Sequence, residues 1–311
     1  MSSGGRSHTV PAADRVAMSL PRLNEMKENG EPIVMVTAYD YPSATVAEAA
    51  GVDIVLVGDT AAMVVLGYPG TEPVSMDEMV MLGKAVRRGL STPLMVGDMP
   101  MGSYEASNEL AVQNAQRLVK ETGCQVVKLE AGGTSVERAR AIVRSGIPVM
   151  GHVGLTPQSA TALGGYKTQG KDLKGAIKLC EDALALQSVG CFAIVFEAVP
   201  AAITEAIVER LEVPVIGIGA GPATAGQVLV FHDLLGITTG RTPKFVKRYA
   251  EVHEAMVEGV GRYVEEVRSH SFPAAEHVYS IEPAELAEFH RYLEQKDGLG
   301  SKQSWDWEPL P

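Results

Sequence analysis

Several protein classes are excluded by what this chain lacks. Its three cysteines, Cys124, Cys180 and Cys191, are widely spaced and form no CxxC pair, which rules out a disulfide framework and a cysteine-based zinc cluster. Basic residues are in the minority, with 27 Lys and Arg against 38 Asp and Glu and a formal net charge of -11. A nucleic-acid surface would need a basic stripe, and an anionic membrane would repel such a chain. An anionic substrate therefore requires local capture by a cation or a metal. No apolar run approaches the ~20 residues of a membrane span, and Met1 to Asp14 lacks the apolar core of a secretory signal. Aromatic residues are scarce at 5%, yet 46% of the chain is hydrophobic and 21% charged, so neither a fibre nor a disordered chain is indicated. The composition reads as a soluble protein of a reducing, cytoplasmic compartment, although a Ser- and Arg-containing start with few acids also fits a transit segment.

The chain is organised around Gly51-Val-Asp-Ile-Val-Leu-Val-Gly-Asp-Thr60, a short apolar run that ends in a carboxylate and a hydroxyl. Continuous apolar residues from Ile54 to Val57 suit a strand covered on both faces, as in a parallel sheet beneath helices. The same grammar recurs in runs ending at Asp98, Glu130, His152 and Glu197. Between the strands lie helical segments, several stopped by glycine, as at Gly51 and Gly123. Strand and helix alternate roughly eight times, which predicts a closed (β/α)8 TIM barrel with an N-terminal helix and a C-terminal helical extension. A doubly wound open sheet is the alternative. The eighth strand is faint and is placed near Leu234 to Ile237. The expected division is a flexible N-terminal tail over 1–20, a barrel over 21–273 and an extension over 274–311. Two connections, Met63 to Ser75 and Gly154 to Lys171, are longer than βα turns and read as binding loops or flaps.

A barrel gathers its strand ends at one mouth, so the terminal ionisable residues become site candidates. Asp59, Asp98 and Glu130 are hard oxygen donors of the kind that hold Mg²⁺ together with waters and a chelating substrate; their plainer role is to cap the next helix. Lys128 shares a strand face with Glu130 and is either an anion site or half of a buried ion pair. His152 is a proton relay, a substrate contact or a core histidine. Glu197, at the edge of an apolar strand, suits proton abstraction, with helix capping as the alternative. Gly217-Ile-Gly-Ala-Gly221 lacks the spacing of a dinucleotide fingerprint and reads as close backbone packing or a turn at the barrel mouth near substrate.

Further stretches join these residues: Val36-Thr-Ala-Tyr-Asp40, Asp98-Met-Pro100, Gly102-Ser-Tyr104, Val127-Lys-Leu-Glu130, Gly154-Leu-Thr-Pro-Gln158, Leu163-Gly-Gly165 and Gly226-Gln-Val-Leu229. In this order, from about Pro21 to Pro273, the chain resembles the ketopantoate (3-methyl-2-oxobutanoate) hydroxymethyltransferase family of pantothenate and coenzyme A biosynthesis. The resemblance implies a Mg²⁺-dependent barrel, assembled as a homo-oligomer, usually a decamer. It also implies transfer of a hydroxymethyl group from 5,10-methylenetetrahydrofolate to 3-methyl-2-oxobutanoate through a metal-stabilised enolate. By position, Asp59 and Asp98 would bind Mg²⁺ directly and Glu130 through water. Thr60 and Lys128 would hold the substrate carboxylate, and Glu197 would be the base, with His152 beside it.

Thr60 stands where the family usually has serine, and Met101 where it usually has phenylalanine; the tail beyond Pro273 exceeds the common family length. No stretch reads by itself as a folate pocket. Two other readings stay open. One is a Mg²⁺-dependent lyase or mutase of the isocitrate lyase type, whose reactive loop cysteine has no counterpart in the two long loops here. The other is a catalytically silent paralogue, for which four retained acids have no evident use.

Overall fold

Each strand of this protein carries side chains alternately to two sides, and in β2 to β7 both sides are largely buried. The computed structural model, which describes residues 15–130, 134–159, 165–240 and 242–297, places eight parallel strands in a closed barrel in sequence order. Before the barrel comes α1 (Leu20–Glu28); then β1 (Ile33–Thr37), α2 (Tyr41–Ala50), β2 (Ile54–Val57), α3 (Ala61–Val64), α4 (Met76–Arg88) and β3 (Leu94–Asp98). There follow α5 (Asn108–Thr122), β4 (Val126–Glu130), α6 (Ser135–Arg144), β5 (Val149–Gly154), α7 (Leu173–Ser188) and β6 (Ala193–Glu197). The barrel is completed by α8 (Ala201–Val208), β7 (Val215–Ile218), β8 (Gly226–Leu229) and α9 (Phe231–Leu234). The (β/α)8 expectation holds.

Helix boundaries follow local chemistry. Asp40 caps α2 by accepting from Ser43 N–H, and Gly51 ends that helix at φ 79°, a conformation that glycine adopts without a Cβ penalty. Ser75 and Glu78 form a capping box at the start of α4, while Ser107 and Asp172 cap α5 and α7. Such caps are each worth about 1 kcal/mol.

Alternation separates two apolar layers. Outward residues such as Val55, Val57, Val127 and Leu129 pack beneath the helices with Ala111, Leu118 and Ile142. Inward residues Ile54, Leu94, Val96, Val126, Met150, Ala193 and Val195 fill the barrel, and α1 adds Leu23 and Met26 to that interior cluster. The inward rows continue from Val126 to Lys128 and Glu130, from Val96 to Asp98, from Met150 to His152 and from Val195 to Glu197. Register then sets Asp98 beside Lys128 and Glu130 beside His152. The polar ends thus form one layer above an apolar plug.

The expected eighth strand requires correction. It is Gly226–Leu229, paired with both β7 and β1, whereas Leu234 ends α9. β8 was hard to read because it is short and its Gln227 faces outward and exposed. No helix separates β7 from β8. Residues 219–225 link them through Gly219 and Gly221, both at positive φ, where a Cβ would run into Phe245 or Ala201, so the backbone is closely packed here. A hollow of about 1080 Å³ beside this link, bordered by Val34, Val208, Gln227 and Phe245, contains none of the candidate acids.

Contacts divide the chain into two compact units at His253 and Glu254. The second unit holds most of α10 (Val252–Arg268) and α11 (Pro283–Asp297); within it Phe272 packs against Tyr263 and His277. The expected N-terminal tail lies outside the described residues through Asp14, as do Gly132 and Gly133, residues 160–164 of the second long loop, and 298–311.

Candidate active site

Five of the seven predicted residues lie on the inward rows at the strand ends, and the other two follow β2. The capping alternatives fail for the acids. The helix after β2 has Thr60 at its N-cap with no side-chain cap bond, and the helix after Glu197 has Pro200 at its N-cap. Asp59, Asp98, Lys128, Glu130 and His152 are all buried, at 1–4% exposure, and the Glu197 side chain is 16% exposed. Together with Thr60 they line a cavity of about 50 Å³.

Lys128 Nζ donates to both carboxylate oxygens of Asp98 at 2.8 Å. Asp59 N–H donates to Asp98 Oδ2 at 3.2 Å. His152 stands between two acids, its Nδ1 3.6 Å from Glu130 Oε1 and its Nε2 3.3 Å from Glu197 Oε2. Neither ring nitrogen has a hydrogen-bond partner of good geometry, so charge holds the ring between the acids. Thr60 Oγ1 shares a 2.6 Å hydrogen bond with the Tyr39 hydroxyl.

Burial and mutual repulsion set the charge states. Desolvation, then the Asp98 and Glu130 charges, push the Asp59 carboxyl well above its usual range, with Lys128 opposing. Burial also raises Glu130, against the pull of His152 and Lys128. Burial pulls Lys128 down, but Asp98, Asp59 and Glu130 outweigh it and hold the ammonium above its ordinary value. His152 is likewise opposed by burial and by Lys128, yet Glu130 and Glu197 push it up to about 9. The ring is therefore an imidazolium at neutral pH.

The acids outnumber the cations, and Glu130 Oε1 is buried without a hydrogen-bond partner. This is the chemistry of a set that lacks positive charge. Among the described residues no three His, Cys, Asp or Glu side chains form a ready-made metal cage. Mg²⁺ does not need one, because it keeps several waters and takes one or two carboxylates plus substrate oxygens. The donor set fits that mode.

Three residues were missed as site members. Gln158 lies in a short 3-10 turn, Pro157–Ser159; its Nε2 donates to Asp59 Oδ2 at 2.8 Å and to Met99 O at 3.0 Å. Its backbone N–H donates to Glu130 Oε2 at 3.1 Å, and its Oε1 accepts from the Tyr104 hydroxyl at 2.6 Å. Tyr39 reaches Thr60. Each of the three sits in a stretch of the recognised motif order, which was the available signal; a lone Gln or Tyr carries none. Met101 is 49% exposed and does not line the cavity.

A profile of the family described as ketopantoate hydroxymethyltransferase matches residues 17–275. The chain belongs to this family. Among its relatives is the 3-methyl-2-oxobutanoate hydroxymethyltransferase of Carboxydothermus hydrogenoformans, 54% identical over 87% of this chain and 97% of that protein. The protein of that name from Moorella thermoacetica is 53% identical over 86% of this chain and 99% of its own length. The 3-methyl-2-oxobutanoate hydroxymethyltransferase 1, mitochondrial, of Arabidopsis thaliana is 47% identical over 89% and 82%. Ketopantoate hydroxymethyltransferases are transferases, and this chain is an enzyme of that family. Among solved structures, phosphonopyruvate hydrolase in complex with oxalate and Mg²⁺ shares the fold, with a TM-score of 0.55, 12% identity, and coverage of 90% of this chain and 98% of that one. So does 2,3-dimethylmalate lyase, a member of the PEP mutase/isocitrate lyase superfamily (TM-score 0.53, 15% identity, 94% and 100% coverage). Among the described residues no helix is long and apolar enough to cross a membrane.

Proposed function

We propose that the pocket binds 3-methyl-2-oxobutanoate, removes its C3 proton and adds the resulting enolate to the one-carbon unit of 5,10-methylenetetrahydrofolate, yielding 2-dehydropantoate. The observation that carries this reading is the row Glu130, His152, Glu197. In it a carboxylate open to the mouth lies 3.3 Å from an imidazolium that is itself backed by a buried acid. Asp59 and Asp98 would hold Mg²⁺ directly and Glu130 through a water, with Glu130 Oε1 free to receive it. When bound, Mg²⁺ supplies Lewis-acid stabilisation of the charge that develops on the keto oxygen.

The remaining steps belong to the chain. Lys128 and the Thr60 hydroxyl hold the substrate carboxylate, Lys128 as a point charge and Thr60 as a hydroxyl oriented by Tyr39. Glu197 takes the C3 proton. His152, its Nε2 3.3 Å from Glu197 Oε2, keeps a positive charge beside the base. The enolate carbon bonds to the methylene carbon of the folate, both carbon–nitrogen bonds of that unit break and water supplies the hydroxyl, the proton taken from C3 and the second proton of water ending on the two nitrogens of tetrahydrofolate.

The test is proton NMR of 3-methyl-2-oxobutanoate in D₂O. Exchange of the C3 proton is expected with wild-type protein and Mg²⁺, and loss of exchange with EDTA or Glu197→Gln, by about 10²–10⁴-fold for removal of a general base. Addition of methylenetetrahydrofolate then gives 2-dehydropantoate. Undiminished exchange in Glu197→Gln would discard Glu197 as base; absence of exchange in wild type, with the folate present, would discard the enolate route.

A further inference from the structure

We propose that Gln158 is a positioning residue that holds the Asp59 and Glu130 carboxylates in the arrangement a divalent cation requires, and that Tyr104 fixes which way its amide faces. The proposal rests on the metal reading above. Gln158 is buried at 6% exposure, and four polar contacts use it from three sides. Its Nε2 meets only acceptors, Asp59 Oδ2 at 2.8 Å and the Met99 carbonyl at 3.0 Å, while its Oε1 receives the Tyr104 hydroxyl at 2.6 Å. Turning the amide over would set its oxygen against both acceptors, so the chemistry of the neighbours determines its orientation. Its backbone N–H, presented by the Pro157–Ser159 turn, holds Glu130 Oε2 at 3.1 Å.

One residue thus grips one oxygen of each of two acids that approach from different strands. Asp59 is 99 positions away in sequence and Glu130 28. Gripping Glu130 by Oε2 leaves Oε1 without a hydrogen-bond partner, so the free lone pairs of that carboxylate are the ones turned from the Gln158 loop. The neutrality of the amide matters as well. An Arg or Lys at this place would cancel the negative charge, whereas an amide satisfies the buried oxygens and leaves their charge for a cation. Partners one step outside a metal's ligands typically set affinity by 10–100-fold.

The experiment uses the full chain and Mn²⁺ alone, with affinity read from the electron paramagnetic resonance of free and bound ion and folding from circular dichroism and thermal melting. Gln158→Met is expected to remain folded and to bind Mn²⁺ about 10–100-fold more weakly; Tyr104→Phe, which keeps the amide but removes the donor to its oxygen, shifts affinity several-fold in the same direction. The spectrum of the remaining bound Mn²⁺ should also change in both, which loss of fold stability alone would not produce. Should Gln158→Met fail to fold, Tyr104→Phe decides. A folded variant that binds Mn²⁺ with wild-type affinity and spectrum removes the Gln158 assignment while the metal reading stands. A wild-type chain that takes up no Mn²⁺ removes both.

Discussion

Lys128→Met tests whether the mouth of the barrel is held together by charge. In the wild type Lys128 Nζ lies 2.8 Å from both oxygens of Asp98, the two side chains being 5% and 2% exposed. Methionine keeps the length of the side chain and removes the charge. Replacing both members of a buried pair by apolar groups can be neutral, but removing one leaves an uncompensated buried charge, at a cost of about 3–5 kcal/mol. Here the loss falls on Asp59 and Glu130 as well, whose carboxyls burial already raises and which Lys128 pulls down. For a protein of this size about 1 kcal/mol corresponds to roughly 2–4 °C in melting temperature, so a fall of roughly 10 °C is expected. The assay is urea and thermal unfolding of the metal-free protein. The acids of the variant ionise less readily when folded than when unfolded, so the folded chain binds more protons and stability falls as pH rises above the ordinary carboxylate range. The deficit should therefore be larger at pH 8 than at pH 5. Asp98→Asn combined with Lys128→Met should lose less than the two changes summed, by about 1–3 kcal/mol of coupling. A Lys128→Met protein that melts within a degree of wild type at pH 8 would refute the reasoning.

Other expectations follow from single contacts. His152 is pushed up to about 9 from an unfolded value near 6.5, so the stability it adds is complete below about 6.5 and is lost as pH rises through about 9. Metal-free wild type should show that decline, amounting to no more than roughly 3 kcal/mol, and His152→Asn should lack it. Gly154 sits at φ 97°, and a Cβ there would run into the Glu197 carbonyl oxygen. Gly154→Ala is thus expected to lower stability by about 2–4 kcal/mol and, by displacing the backbone of the base, to slow C3 exchange at least tenfold; an unchanged exchange rate would contradict this. Glu48 accepts from Ser91 N–H at 2.7 Å, Thr92 N–H at 3.1 Å and the Thr92 hydroxyl at 2.7 Å. Burial opposes these bonds, but together they hold its carboxyl below the usual glutamate value. Glu48→Gln should cost about 1–2 kcal/mol at neutral pH, and urea midpoints of the two proteins should converge as pH falls through that lowered value.

The barrel was legible in the sequence, as were most of the residues that line the cavity at its mouth. Apolar runs that end in Asp98, Glu130, His152 and Glu197 announce strand ends, and the two-residue period puts Val126, Lys128 and Glu130 on one face, because side-chain direction along a strand is a local property. Local signals also placed the stop at Gly51. They misplaced β8, whose strand character comes from pairing with β7 and β1 rather than from its own pattern of residues. Tertiary structure alone decided how the acids are shared out. It gave Asp98 to Lys128, set His152 between Glu130 and Glu197, and brought Gln158 back across 99 positions to Asp59. It also made His152 an imidazolium, since that charge state depends on burial and on acids from two other strands. Such features arise only when the barrel closes, because closure fixes which strand ends become neighbours and how much water remains between them.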